Sequence, residues 1–259
     1  MLKSLTEFFK LFLRYPNKGT NNNIYIIFKG KEKKLKGRIK GLTINFKGDN
    51  NTVKLHLPLK FKNTTITFTS SNSTFEMLPT KAIVNEFSFS LSYNCHIFID
   101  SNSRLNKPNG RLIVNNNTKE TPNNIRIGKN AQISRDILMR TSDGHSIFNI
   151  GEDLPYNKPQ DIIIGDNVWL GSRVVLLKGT TLQNNTIVGA CSVVNKKFNE
   201  GNVILAGHPA RIIKRNISWK RASYGQCFEK PIKSNKNEKA ILISKLKRKK
   251  RELLLKSIY

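Results

Sequence analysis

The sequence predicts an all-β protein built as a parallel β-solenoid, and two observations predict it. The first is a six-residue apolar beat: Ile164-Gly165-Asp166-Asn167-Val168, Leu170-Gly171-Ser172-Arg173-Val174, Leu176-Leu177-Lys178-Gly179-Thr180, Leu182-Gln183-Asn184-Asn185-Thr186 and Val188-Gly189-Ala190-Cys191-Ser192. A helix repeats its apolar face every three to four residues and a half-buried strand every two, so a period of six needs short strands joined by turns. The large aliphatic fills the interior and the small residue four further on packs near a corner. Gly, Asp and Asn tolerate the backbone angles between strands. Three such strands close one coil, and each coil covers its neighbour. The second observation is the upstream run of short alternating segments, which supplies further strands.

In chain order, Leu2, Leu5, Phe8, Phe9, Phe12 and Leu13 share one side of a helix that Tyr15-Pro16 ends. This short N-terminal helix is read as a cap on the open solenoid end, ahead of an interfacial anchor. Residues 24–77 alternate as strands (Ile24-Ile26-Phe28, Leu42-Ile44-Phe46, Val53-Leu55-Leu57, Ile66-Phe68, Phe75-Met77), with Gly41, Asn63 and Gly48-Asp49-Asn50-Asn51 as turns. They recur about every ten residues without the strict six, and irregular coils of the same solenoid are expected over a separate sheet. Strand-like pieces continue to Val114, and 115–124 is a polar linker. The beat then opens at Ile127 and Ile133, breaks after Met139, and resumes only beyond Gln160. The excursion between carries Asp143-Gly144-His145. Loops thrown off a rigid scaffold are common places for reactive side chains. The expected division is therefore a cap (1–20), irregular N-terminal β coils (21–123), a repeat domain (124–219) and a basic C-terminal extension (220–259).

The chain has 259 residues and a formal net charge of +28, with 45 Lys plus Arg against 17 Asp plus Glu. An acidic partner or cofactor phosphates would be drawn to such a surface. Codon bias toward Lys, Asn and Ile is the bland cause. The last thirty residues hold eleven Lys and Arg against Glu238 and Glu252, and their leucines and isoleucines suggest a basic helix that contacts anionic lipid or an acidic polymer. Cys95, Cys191 and Cys227 are odd in number and widely spaced, which offers neither a disulfide framework nor a zinc site, so no metal is expected. No apolar run approaches the roughly 18 residues of a membrane span, and no export signal is read at the start. A cytoplasmic protein is expected, with its basic extension toward the inner face of the membrane.

His145 is the candidate base, since imidazole titrates near neutrality and can take the proton of an alcohol. Asp143 either orients its ring, binds substrate, or merely forms an Asp-Gly turn. His56 and His96 lie in strands without evident acidic partners and read as structural, and the role of His208 stays open.

Thr141-Ser142-Asp143-Gly144-His145-Ser146-Ile147, Lys158-Pro159, Ile164 to Gly171 with Trp169, Val188-Gly189-Ala190 and Ala206-Gly207-His208-Pro209-Ala210-Arg211 make the chain resemble the hexapeptide-repeat acyltransferases over about residues 124–219. That resemblance implies a left-handed parallel β-helix and direct acyl transfer from acetyl-CoA to a sugar hydroxyl, in the manner of bacterial surface-polysaccharide O-acetyltransferases. It places the oxyanion donor at the backbone N–H of Ser172. It sets Trp169 at the thioester end of the cofactor, Gly171 against the cofactor, Ala190 along the pantetheine arm, and Lys196, Arg211 and Lys214 against the phosphates. It also implies a homotrimer with sites between subunits. The expected acceptor is a capsule or lipopolysaccharide chain, an acidic one by charge; nucleic acid is not the expected partner. Two rival readings are acetylation of a nucleotide-linked sugar and a non-catalytic basic scaffold.

Overall fold

The computed structural model describes residues 17–116, 121–223 and Cys227; the expected N-terminal helix and the helical part of the basic extension lie outside them. The chain clusters into two compact units, Met1–Ser218 and Trp219–Tyr259. The first unit is a left-handed parallel β-helix with three faces.

Each coil crosses the faces in turn. The first face joins Asn23–Phe28, Thr52–His56, Thr74–Met77, Cys95–Ile99, Asn123–Ile127, Ile162–Ile164 and Thr181–Leu182. The second carries Lys60–Lys62 and Ile83–Asn85, then Gln132–Ile133, Trp169–Leu170, Ile187–Val188 and Ile204–Gly207. The third runs from Leu42–Phe46 through Thr64–Phe68, Phe87–Leu91, Gly110–Val114, Leu138–Arg140 and Val175–Leu176 to Val193–Val194. Every rung between these strands is parallel. The exceptions close the ends: Lys31–Lys34 folds back antiparallel on Asn23–Phe28, and Ala210–Lys214 on Ile204–Gly207. The first face runs unbroken past residue 123, because Cys95–Ile99 pairs with Asn123–Ile127 and that strand with Ile162–Ile164. The N-terminal strands are therefore coils of the same solenoid.

Coil length explains why the beat is strict in one half only. Between Ile163 and Thr181, Trp169 and Ile187, or Val175 and Val193, one coil takes 18 residues, three sixes. Between Thr52 and Thr74 it takes 22. The aliphatic and small positions of the beat all point inward: Ile164, Leu170, Leu176, Leu182 and Val188 are buried, as are Val168, Val174, Thr180, Thr186 and Ser192. Thr180 satisfies its buried hydroxyl by sharing its one proton between the carbonyls of Leu177 (2.7 Å) and Val194 (3.0 Å), as a buried polar group must. Burial of each large side chain stabilises by about 1.5–3 kcal/mol.

The corners share one device. Asn21, Asn50, Asn72 and Asn94 turn one corner with positive φ; Asn102, Asn130, Asn167, Asn185 and Asn202 turn a second. Asn is the non-glycine residue that visits this region most readily. Its amide also reaches the next coil: Asn50 donates to Asn72 (3.2 Å) and Asn167 to Asn185 (2.8 Å). The abundant asparagine thus has a structural use.

Candidate active site

The excursion forms an arm, 141–160, thrown from the corner between the third and first faces. Its base closes where Gln160 N–H donates to the Thr141 carbonyl (2.9 Å), and further out Tyr156 N–H donates to Ile147 (3.0 Å). Asn157 is the organising side chain between these rungs. Its Nδ2 donates to the His145 carbonyl (2.8 Å) and to Asp143 Oδ2 (2.8 Å), while its Oδ1 accepts Ile147 N–H (2.8 Å). The backbone on both sides of His145 is fixed and the residue is exposed.

Among the described residues Asp143 makes no hydrogen bond to the His145 ring. Its carboxylate takes the Lys178 ammonium and the Asn157 amide, and Lys178 also donates to the Asn157 carbonyl (3.1 Å). Lys178, with desolvation opposing and Asn157 assisting, holds the Asp143 carboxyl below the usual carboxylate range. Lys178 sits one coil further along the same corner, on the beat before Gly179, whose φ of +76° carries the chain round. The Asp143–Lys178 pair therefore ties the arm to the solenoid. Asn157 and Lys178 were not singled out from the sequence. The one signal was position: Asn157 stands directly before Lys158-Pro159, and Lys178 interrupts an otherwise apolar stretch of the beat.

The other expected site residues lie across the third face from the arm. Trp169 is on the second face, 40% exposed, between Gln132 and Ile187 on neighbouring coils. Gly171, Ser172 and Ala190 occupy the corner between the second and third faces. Gly171 is there because a Cβ would come within 2.7 Å of Ala190 N and 2.9 Å of the Val188 oxygen. Arg211 and Lys214 are exposed on the final antiparallel strand. Lys196 sits instead on the arm's own corner, its ammonium 5.4 Å from the centre of the Phe198 ring. One chain therefore brings Asp143, His145 and Lys178 together, and separates them from Trp169, Ser172 and Ala190.

The corner holding Ser172 differs chemically from its counterpart between the first and second faces. There, the outward amides are capped by the next coil: Lys129 N–H donates to Asp166 Oδ1 (2.8 Å) and Asp166 N–H to Asn184 Oδ1 (2.7 Å). At the equivalent positions Ser172 and Ala190 have no carboxylate or amide side chain above them. Among the described residues their N–H groups make no hydrogen bond, while the Ser172 carbonyl accepts Cys191 N–H (2.9 Å). Two backbone donors in line along one edge are suited to an oxyanion or to an amide-bearing ligand.

Two expectations about histidines change. His56 has an acidic partner after all, with Nε2 2.8 Å from Glu76 Oε1, brought across the first face from 20 residues away. His96 is half-buried, and burial lowers its pKa against the opposing charge of Asp161. Both remain structural in position. Cys95, Cys191 and Cys227 are free thiols, and no group of three His, Cys, Asp or Glu gathers among the described residues.

With this geometry in place, comparison with known proteins is specific. The family described as bacterial transferase hexapeptide (six repeats) matches residues 161–196. The polysialic acid O-acetyltransferase of Escherichia coli O1:K1 / APEC is 40% identical over 98 residues, which cover 38% of this chain and 32% of that one. The putative lipopolysaccharide biosynthesis O-acetyl transferase WbbJ of Escherichia coli (strain K12) is 43% identical over 74 residues, 29% of this chain and 37% of that one. The match thus spans about a third of these curated relatives. Among solved structures, the polysialic acid O-acetyltransferase OatWY superposes with a TM-score of 0.66 at 26% identity, over 85% of this chain and 97% of that one. Over its repeat coils the chain is thus similar, in sequence and in its three-faced solenoid, to hexapeptide-repeat acetyltransferases.

Proposed function

We propose that the protein is an acetyl-CoA-dependent O-acetyltransferase that modifies a hydroxyl of an acidic bacterial surface polysaccharide, with a sialic acid polymer as the first acceptor to test. The observation that carries this reading is the split site: a fixed, exposed His145 on one corner, and two open amides beside Trp169 on another. In one chain the third face lies between them, so a site using both is completed by a second copy. The arm suits that contact, because Ile147, Phe148, Leu154 and Tyr156 are 43–78% exposed and Ile150 is fully so. Apolar groups displayed together on one arm read as an association surface. A homotrimer is the assembly this reading expects, and the cytoplasmic side of the membrane its compartment.

The chemistry follows from the groups present. A ring nitrogen of His145 takes the proton of the sugar hydroxyl as that oxygen attacks the thioester carbonyl. The Ser172 N–H receives the developing oxyanion, a fixed dipole that needs no reorganisation. The carbon–sulfur bond then breaks, and the imidazolium returns the proton to the leaving thiolate. Asp143 and Lys178 hold the arm in place. Trp169 flanks the thioester, Gly171 and Ala190 line the pantetheine, and Lys196, Arg211 and Lys214 supply charge for the phosphates.

The test is transfer of labelled acetyl from acetyl-CoA to polysialic acid by wild type and His145→Ala. Loss of about 10²–10⁴-fold in kcat with the unfolding transition unchanged is expected. Equal rates in the two proteins would remove His145 from the chemistry and this reading with it.

A further inference from the structure

The outward side chains of the first face form a single file that ends at the arm. Register places Lys34 beside Tyr25, Tyr25 beside Lys54, and Lys54 beside Glu76. Glu76 then stands beside Phe98, Phe98 beside Arg126, and Arg126 beside Ile163. Lys34 lies in a wholly exposed strand, and in the other strands the neighbours of these residues point into the core, so all of them face solvent. The file alternates rings and cations: Tyr25 and Phe98 offer flat apolar surface, and Lys34, Lys54 and Arg126 offer charge. The Arg126 guanidinium lies 4.9 Å from the Phe98 ring centre. Its one carboxylate, Glu76, is engaged by His56 at 2.8 Å.

Both ends of the file are distinctive. At the far end the antiparallel strand Lys31–Lys34 is wholly exposed, and residues 29–40 carry Lys29, Lys31, Lys33, Lys34, Lys36, Arg38 and Lys40 against Glu32 alone. None of those lysines is in a salt bridge among the described residues. Codon bias would spread lysine evenly, yet 161–218 carries seven cations against three carboxylates over a far longer stretch. Lysine on an edge strand discourages pairing, but that does not account for Lys36 to Lys40 beyond the strand. At the near end the file runs into a polar pocket of about 500 Å³ beside Pro159 and Gln160, the root of the arm, with Ile163, Thr181 and Lys197 in its wall.

We infer that this face is the track on which a polyanionic glycan lies, held by cations against its carboxylates and by Tyr25 and Phe98 against its sugar rings, with its reacting end at the arm. The inference rests on the proposed function for its acceptor and adds where that acceptor binds. Six strand spacings separate the Lys34 strand from the Ile163 strand, about 29 Å at roughly 4.8 Å each. A polymer can span that distance; a mono- or disaccharide cannot.

The experiment compares the full chain with K34Q/K54Q/R126Q and, separately, Phe98→Ala, on long polysialic acid and on a sialic acid dimer. In the charge variant KM for the polymer is expected to rise about tenfold, more at low salt than at high, with kcat and the dimer's KM unchanged. Phe98→Ala is expected to raise the polymer KM by about fivefold, a ring contact worth about 1 kcal/mol. A polymer KM that does not move, or polymer and dimer KM values that rise together, would overturn the track. So would loss of binding to phosphatidylglycerol vesicles with the polymer KM intact, which would assign the face to lipid. Retardation of the protein by polysialic acid in gels without acetyl-CoA reads binding alone. If wild type acetylates no glycan, the proposed function fails, and the loss or retention of this retardation in the variants still decides the track.

Discussion

The two halves of the solenoid solve the same packing problem at different cross-sections. From about residue 40 to 100 a coil takes 22 or 23 residues, strands run to five residues, and the interior is filled by Phe46, Phe68, Phe75, Phe87 and Phe89. Phe46 stacks on Phe68 at 5.0 Å, and Phe75 meets Phe89 edge-on at 4.9 Å. Beyond residue 161 a coil takes 18, strands shrink to two or three residues, and Ile, Leu and Val suffice. A wider prism needs larger side chains to avoid voids, and a minimal prism has room for none of them. The difference teaches where precision is held. In the minimal coils every residue has a fixed place in a repeat of six, and those coils hold the open amides and the root of the arm. The broad coils supply surface.

The largest effect should come from emptying the wide half. Phe89→Ala is expected to cost about 3–5 kcal/mol, against about 2–4 for Leu176→Ala in the narrow half, both read as shifts in chemical unfolding. If Leu176→Ala proved the costlier, cross-section would not be what sets the residue size. A smaller effect sharpens the comparison from the other side. Asn72 and Asn185 turn their corners with φ of 63° and 60° in the wide and narrow halves. Asn→Ala at either should cost about the same, roughly 1 kcal/mol, and Asn→Gly less. Unequal losses would show that the corners as well as the cross-section differ.

The smallest effect concerns the arm. Asp143 has a folded pKa held below its ordinary value, so its contribution is present above the unfolded carboxylate pKa and is lost as pH falls through the lowered one. Its side chain is 38% exposed, which keeps that contribution small. Proteolytic nicking of 141–160 should therefore increase only in acid in wild type, whereas in Lys178→Met, which lacks the pair at every pH, it should already be raised near neutrality. Nicking with no pH dependence in wild type would mean that the Asp143–Lys178 pair does not hold the arm.

The same contrast decides what could be read from the sequence. The narrow half was legible because 18 residues divide into three equal sixes, so each inward aliphatic announces the next, and the interruption after Met139 marked the arm with His145 on it. The wide half hid its period. Five-residue strands alternate by twos, corners vary in length, and a coil takes 22 or 23 residues, so Phe68 and Phe89 could be placed in strands but not in register. Partners across coils were less visible still. Glu76 reaches His56 across 20 residues and Lys178 reaches Asp143 across 35, separations that no local pattern encodes. The open amides of Ser172 and Ala190 depend on what is absent from the coil above, which only the register shows.

Both ends of the parallel ladder are closed by a strand running the other way, Lys31–Lys34 at one end and Ala210–Lys214 at the other, and both present exposed cations. A second copy approaching end-on would meet reversed backbone polarity and like charge at once. Stacking of identical β-coils is the natural route to a fibre, and a reversed, cationic strand on one face at each end disfavours it. Side-by-side association, the mode of the proposed trimer, would close into a ring where end-on stacking would extend a filament.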